Sequence, residues 1–133
     1  WNPPNPYLTE HRALLGQPLQ VYGDGSQLVD LVYVEDTAEI LIRALETDRV
    51  ADEVIDAGSG EGVPLMKVAN LIREMLDAKI EFLPMRLGET SKAVIRGNTE
   101  TLKKWLGEFE FTPIEVGIKK TVEWYREHYK ELL

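Results

Sequence analysis

The chain has 133 residues, 44% hydrophobic and 29% charged, which fits one soluble globular domain able to bury roughly two-thirds of its unfolded surface. Its net charge of −8, from 15 basic and 23 acidic residues, argues against nucleic-acid and anionic-membrane partners, although a local arginine can still hold one phosphate. The absence of cysteine excludes disulfides, thiolate metal sites and cysteine catalysis and fits a cytoplasmic location, and no apolar run approaches the ~18 residues of a membrane span.

The chain opens at Trp1 with neither methionine nor signal peptide, which suggests a processed or excised segment. The prolines of residues 1–6 predict extended or turned backbone. A short helix is expected over Tyr7–Leu15, stopped by Gly16 in a left-handed conformation. From Leu19 to Leu45 the sequence reads as strand, turn, strand and helix. Leu19 and Val21 form the first strand, and Leu31, Val32, Tyr33 and Val34 the second. Gly23-Asp24-Gly25 tolerates the positive φ of a reversing loop, so the pair is expected to fold as a hairpin. Asp36 is placed to cap the following helix, with Glu39 three residues on. Ala38, Leu41, Ile42 and Leu45 line one face of that helix, and polar residues 47–52 form a loop.

Glu53–Ala57 is expected to be a short strand, followed by the glycine-rich loop Gly58–Gly62. Leu65, Val68, Ala69, Ile72, Met75 and Leu76 predict a helix over about 64–77, opened by Pro64. Lys79–Leu83 alternates as a strand. The order from 53 to 83 is a βαβ pattern with parallel strands. A short strand around Ala93–Ile95 follows, then a helix over Thr99–Leu106 stopped by Gly107. Ile114, Ile118, Val122, Tyr125, Tyr129 and Leu132 predict a long amphipathic helix to the end.

Little of the usual catalytic vocabulary is present. Gly58–Gly62 has the spacing G-x-G-x-G rather than G-x-G-x-x-G, and Glu61 sets a negative charge where a phosphate would lie, so a plain connection is favoured over a cofactor site. His11 and His128 stand at opposite ends without a metal-ligand partner, so both read as surface residues and no metal site is expected. Trp105, Trp124 and Tyr125 read as packing residues. Arg86 stands at a strand end before Gly88. Bare chemistry weights a bidentate phosphate contact and a surface ion pair with Glu89 or Glu81 equally.

Five motifs in order carry a resemblance. They are G-x-P-L-x-V-Y-G-D-G-S-Q at 16–27, D-L-V-Y-V-E-D-T-A at 30–38, D-A-G-S-G at 56–60, R-x-G-E at 86–89 and T-V-E-W-Y at 121–125. Together they resemble the C-terminal part of the extended short-chain dehydrogenase/reductases, the NAD-dependent nucleotide-sugar epimerases and dehydratases, over about residues 7–126. The resemblance implies an α/β fold in which residues 1–133 are the small mixed-sheet, substrate-binding part of a Rossmann-type enzyme, with a βαβ unit and a long C-terminal helix. It implies a partner in the N-terminal Rossmann domain, which binds NAD and is absent here, and in a nucleotide-diphosphate sugar. The strands at 53–57 and 79–83 would extend the Rossmann sheet. The parent reaction would begin with hydride transfer from a sugar carbon to NAD.

Gln20 and Tyr22 would belong to the strand beside the nucleobase, and Arg86 would hold the diphosphate, a match that favours its phosphate role. The family commonly has arginine in Q-x-R-D, where this chain has Val29 before Asp30. Neither the G-x-x-G-x-x-G fingerprint nor a Tyr-x-x-x-Lys pair occurs, so no catalytic residue is assigned, and no cofactor is expected on this segment alone. The alternative readings are a stand-alone nucleotide-sugar or protein-binding module without enzyme activity, and a homo-oligomer formed through exposed strand edges.

Overall fold

The computed structural model of the chain describes residues 9–48, 53–90 and 92–128. The proline-rich start, Tyr7 and Leu8, positions 49–52, and the stretch beyond residue 128 where the sequence predicts the helix to continue, with Tyr129 and Leu132, lie outside the described residues, as does the side chain of His11. The elements in order are α1 (Thr9–Leu14), β1 (Leu19–Tyr22), β2 (Leu28–Val29), α2 (Val34–Glu46), β3 (Val63–Pro64), α3 (Leu65–Leu76), β4 (Ile80–Leu83), β5 (Val94–Ile95), α4 (Thr99–Leu106) and α5 (Ile114–His128). The result is a mixed α/β architecture with two small sheets.

β1 and β4 pair in parallel, with Leu19 opposite Ile80 and Tyr22 opposite Leu83. α3 precedes β4 and packs on β1, so the helix-connected parallel pair is real but joins β1 to β4. Glu53–Ala57 is not a strand. No described strand runs beside it, and a strand exists only where its backbone N–H and C=O groups find a ladder partner. Val54 is 83% exposed there. In the second sheet β2 lies between β3, antiparallel, and β5, parallel.

The expected hairpin is therefore replaced. β1 and β2 lie in different sheets, and the glycine turn carries the chain from one to the other. Leu31–Tyr33 form no strand and Val34 opens α2. Asp36 is not the cap either. The helix starts two residues earlier, behind Tyr33, with no side-chain cap. The Asp36 carboxylate is buried and instead accepts the Thr112 backbone N–H at 2.8 Å and its hydroxyl at 2.7 Å. A tertiary donor pair has outcompeted the local amide. Glu39 pairs with Arg43 one turn on, at 2.8 Å.

The main core gathers one face from each of four elements: Ala13 of α1, Leu19 of β1, Ile72 of α3, and Ile118 and Val122 of α5. Each large side chain fully buried here contributes about 1.5–3 kcal/mol. α1 ends as its glycine predicts, with Gly16 at φ 71°. α4 is capped by Asn98, whose side chain accepts the Glu100 N–H at 2.9 Å. α2 buries Ile40 towards α4, whose Leu102 is also buried. Its predicted apolar face is turned outward: Ala38 is exposed, Leu41 is 61% exposed and Leu45 87%. In α5, Gly117 sits against Tyr33, where an added Cβ would come within 3.3 Å of the Tyr33 Cβ.

Candidate functional site

The site grows from the end of β1. Beyond Tyr22 the ladder continues for one bond, Gly23 N–H to the Leu83 carbonyl at 2.8 Å. The chain then turns through Gly23 and Gly25, both at positive φ, and Asp24 accepts both the N–H and hydroxyl of Ser26. Gly25 is required by space as well. A Cβ there would meet Met66 Cβ at 3.0 Å and Val21 Cγ1 at 3.1 Å. The turn closes over the start of α3, because Met66 N–H donates to the Gly25 carbonyl and Leu65 N–H to the Gln27 carbonyl. Two of the helix's otherwise unpaired N–H groups are thereby used. Gln27 folds back beneath the turn and donates its side-chain N–H to the Tyr22 carbonyl at 2.9 Å and to Met85 Sδ at 3.3 Å.

Arg86 comes from the segment after β4. Its guanidinium carbon lies 4.5 Å from the centroid of the Tyr22 ring, and its Nη2 pairs with Glu89 at 2.6 Å. The two alternatives for Arg86 are thus not exclusive. It makes the surface ion pair with Glu89, and it also stands over an aromatic ring with part of its donor fork open. Gln20 lies on the same strand as Tyr22, directly opposite Glu81 in the register, and donates to Glu81 at 3.3 Å. Gln20, Tyr22 and Arg86 all line one cleft of about 1360 Å³. Val29 of β2 lines it too and brings no charge.

Tyr33, Glu35 and Lys120 line the cleft as well. Lys120 Nζ pairs with Glu35 at 3.0 Å and lies 5.0 Å from the Tyr33 ring centroid. Burial and the Glu35 carboxylate push the Tyr33 phenol above its ordinary value. The hydrogen bond from Lys120 lowers Glu35, and the same bond raises Lys120. Trp124 and Tyr125 also line the cleft, and Trp124 is half exposed, edge-on to Tyr125 and stacked on His128 at 4.5 Å. Trp124 is therefore not a core residue as expected. Its position on α5 turns it to the cleft side, while Ile118 and Val122 take the core. Trp105 is partly buried on α4, with Lys104 over its ring at 4.2 Å.

Residues that motif reading left without a role hold the site together. The Asp30 carboxylate accepts four hydrogen bonds: Ser59 N–H at 3.1 Å, Ser59 hydroxyl at 2.6 Å, Gly60 N–H at 2.8 Å and Gly97 N–H at 3.0 Å. Burial raises its pKa, but the four donors outweigh that and hold it below the ordinary aspartate value. Asp30 thus joins β2 to the glycine-rich loop and to the turn after β5. No spacing rule reveals such a hub, because its partners lie 29 to 67 residues away.

This arrangement also tests the fit of a dinucleotide. The loop amides of Ser59 and Gly60 point at Asp30, and two N–H groups of α3 are taken by the turn. The Ser59 and Gly60 amides are therefore not offered to a cofactor phosphate. Among the described residues no cluster of three or more metal-ligating side chains occurs, and no helix is long and apolar enough to cross a membrane.

Comparison with known proteins places this geometry. The family model described as the NAD dependent epimerase/dehydratase family matches residues 8–58. The dTDP-glucose 4,6-dehydratase of Neisseria gonorrhoeae is 30% identical over 127 residues, covering 85% of this chain and 36% of that protein. The structure of the epimerase Mth375 from Methanothermobacter thermautotrophicus superposes with a TM-score of 0.87 over 97% of this chain and 39% of its own, at 23% identity, and shows the shared fold. MoeE5, solved in complex with UDP-glucuronic acid and NAD, is 25% identical with a TM-score of 0.77, over 88% of this chain and 40% of its own. The chain thus spans well under half the length of the relatives it matches. The likeness, over residues 8–58 by the family model and at 30% identity to a relative covered to 36% of its length, is to the NAD dependent epimerase/dehydratase family.

Proposed function

We propose that this chain is the C-terminal, nucleotide-sugar-binding segment of an NAD-dependent epimerase or dehydratase. The single observation that carries the reading is the Arg86 guanidinium over the Tyr22 ring inside the cleft. A planar cation beside a planar aromatic suits a ligand that joins a diphosphate to a flat base. Tyr22 takes the base, Arg86 the diphosphate, and Gln20 lies on the base-side strand. The segment's contribution is orientation: it converts binding energy into a fixed position of the sugar. It supplies no hydride acceptor, so turnover is assigned to the assembled enzyme and not to this chain alone.

The Rossmann part would cover what is left bare. Support comes from the exposed apolar face of α2, from the unpaired segment at 53–57, and from a cleft larger than the ~300–1,000 Å³ usual for a ligand alone. NAD would be held by that part, in keeping with the Ser59 and Gly60 amides here, which are already used by Asp30. A cytoplasmic location belongs to the same proposal and rests on the cysteine-free composition.

Calorimetry with UDP and dTDP sugars tests the site. The unaltered chain is expected to bind, and Arg86→Ala to weaken binding about tenfold or more, as loss of a charge-assisted contact does. Affinity unchanged in both Arg86→Ala and Tyr22→Ala would refute it.

A further inference from the structure

Three cations line the cleft: Arg12, Arg86 and Lys120. Two of them pair with carboxylates that also line the cleft, Arg86 with Glu89 at 2.6 Å and Lys120 with Glu35 at 3.0 Å. Arg12 has no such partner among the described residues. Its Nε is buried from solvent and donates no hydrogen bond. The buried Nε fixes the guanidinium without a protein partner, and the Nη groups, which are not buried in this way, carry the charge that an anion in the cleft would meet. The backbone is held ready for this, because the Arg12 carbonyl accepts both Leu15 N–H and Gln17 N–H at the end of α1. The residue is thus anchored, and its charge is uncompensated, in a chain whose net charge is −8. Elsewhere on such a chain an anionic ligand is repelled. In the cleft three cations stand against two carboxylates, Glu35 and Glu89.

We propose that Arg12 is a second anion-binding residue of the cleft and takes an anionic oxygen of the ligand in addition to the Arg86–Tyr22 contact. The inference rests on the nucleotide-sugar reading above. It gives the site a division of labour. Arg86 arrives partly neutralised by Glu89 and stacked on Tyr22, so it orients. Arg12 arrives unpaired, so it supplies the charge that balances the ligand. That anionic oxygen belongs to the diphosphate or to a carboxylate carried on the sugar.

The test titrates the full 133-residue chain, its Arg12→Gln and Arg12→Lys variants, and Arg86→Ala with UDP, UDP-glucose, UDP-glucuronate and uridine. Arg12→Gln is expected to weaken UDP and UDP-glucose about tenfold while leaving uridine unchanged, which assigns the contact to the diphosphate. A loss confined to UDP-glucuronate supports the same residue with the sugar carboxylate as its partner. Arg12→Lys keeps the charge and the stem but loses Nε, and is expected to retain part of the affinity with a steeper dependence on salt. It also serves as the reading variant if Arg12→Gln melts below the unaltered chain. If both Arg12 variants bind all the ligands as the unaltered chain does while Arg86→Ala does not, the proposal is overturned and the nucleotide reading stands. An unaltered chain that binds none of them overturns both.

Discussion

Replacing Asp30 by asparagine removes the charge from the hub and keeps its shape. The aspartate accepts four hydrogen bonds between 2.6 and 3.1 Å. A hydrogen bond to a charged acceptor contributes about 1.5–3 kcal/mol net. Asparagine keeps one carbonyl oxygen, which serves two donors, and turns an NH2 group towards the other two. About two charge-assisted bonds are lost, partly offset because a neutral amide is less costly to bury, so the expected loss is about 2–4 kcal/mol. Against a stability of about 5–15 kcal/mol for a domain, that moves a urea midpoint by about 1–2 M at an ordinary m value.

The pH dependence has a definite sign. The folded pKa of Asp30 is depressed, so its contribution is full above the unfolded value of about 3.9 and is lost as pH falls through the lower folded value. The gap between the unaltered chain and Asp30→Asn should therefore be constant at neutral pH and narrow only below about pH 4. Urea unfolding followed by circular dichroism at pH 7 and at pH 3 reads both effects. A loss under about 1 kcal/mol at pH 7, or a gap that widens in acid, would refute the assignment of Asp30 as a charged hub.

Gly97→Ala places a Cβ 2.8 Å from Gly58 Cα and 3.3 Å from Asp30 Oδ2, and since the obstacle is backbone, a loss of about 1–3 kcal/mol is expected; a thermal melt identical to that of the unaltered chain would show that the two segments have room to part. Leu41→Lys with Leu45→Lys, on the outward face of α2, should change stability by no more than about 0.5 kcal/mol while lowering any self-association seen by sedimentation velocity. A loss above about 2 kcal/mol would mean that this face is covered within the chain.

The elements that were legible in the sequence are those whose information is local. α3, α4 and α5 follow from apolar spacing of three and four, and the end of α4 from Gly107. β4 and β5 follow from short alternating runs. Leu31–Val34 misled because a short β-branched run reads alike whether it pairs, lines a cleft or opens a helix. Val54 and Ile55 carry strand chemistry without a ladder partner beside them. The period of α2 was legible but its direction was not, since amphipathicity reports a face and not what covers it. Tyr22 and Arg86 were singled out by motif, yet their mutual stacking is a tertiary fact. Arg12 gave no signal, being one arginine among the polar residues of a short helix. Its distinction lies in the carboxylate it does not meet.

The close approach of Gly117 to Tyr33 has a mechanical consequence. A glycine inside a helix costs about 1 kcal/mol relative to alanine, and here it lets the α5 backbone back directly onto the Tyr33 side chain. That wall of the cleft is braced by main chain, which has no rotamers to change. The lining around Arg86 is held by a ring contact and a partly exposed ion pair, both of which rearrange within side-chain freedom. The cleft is therefore asymmetric in compliance, stiff where α5 backs onto Tyr33 and softer at Arg86.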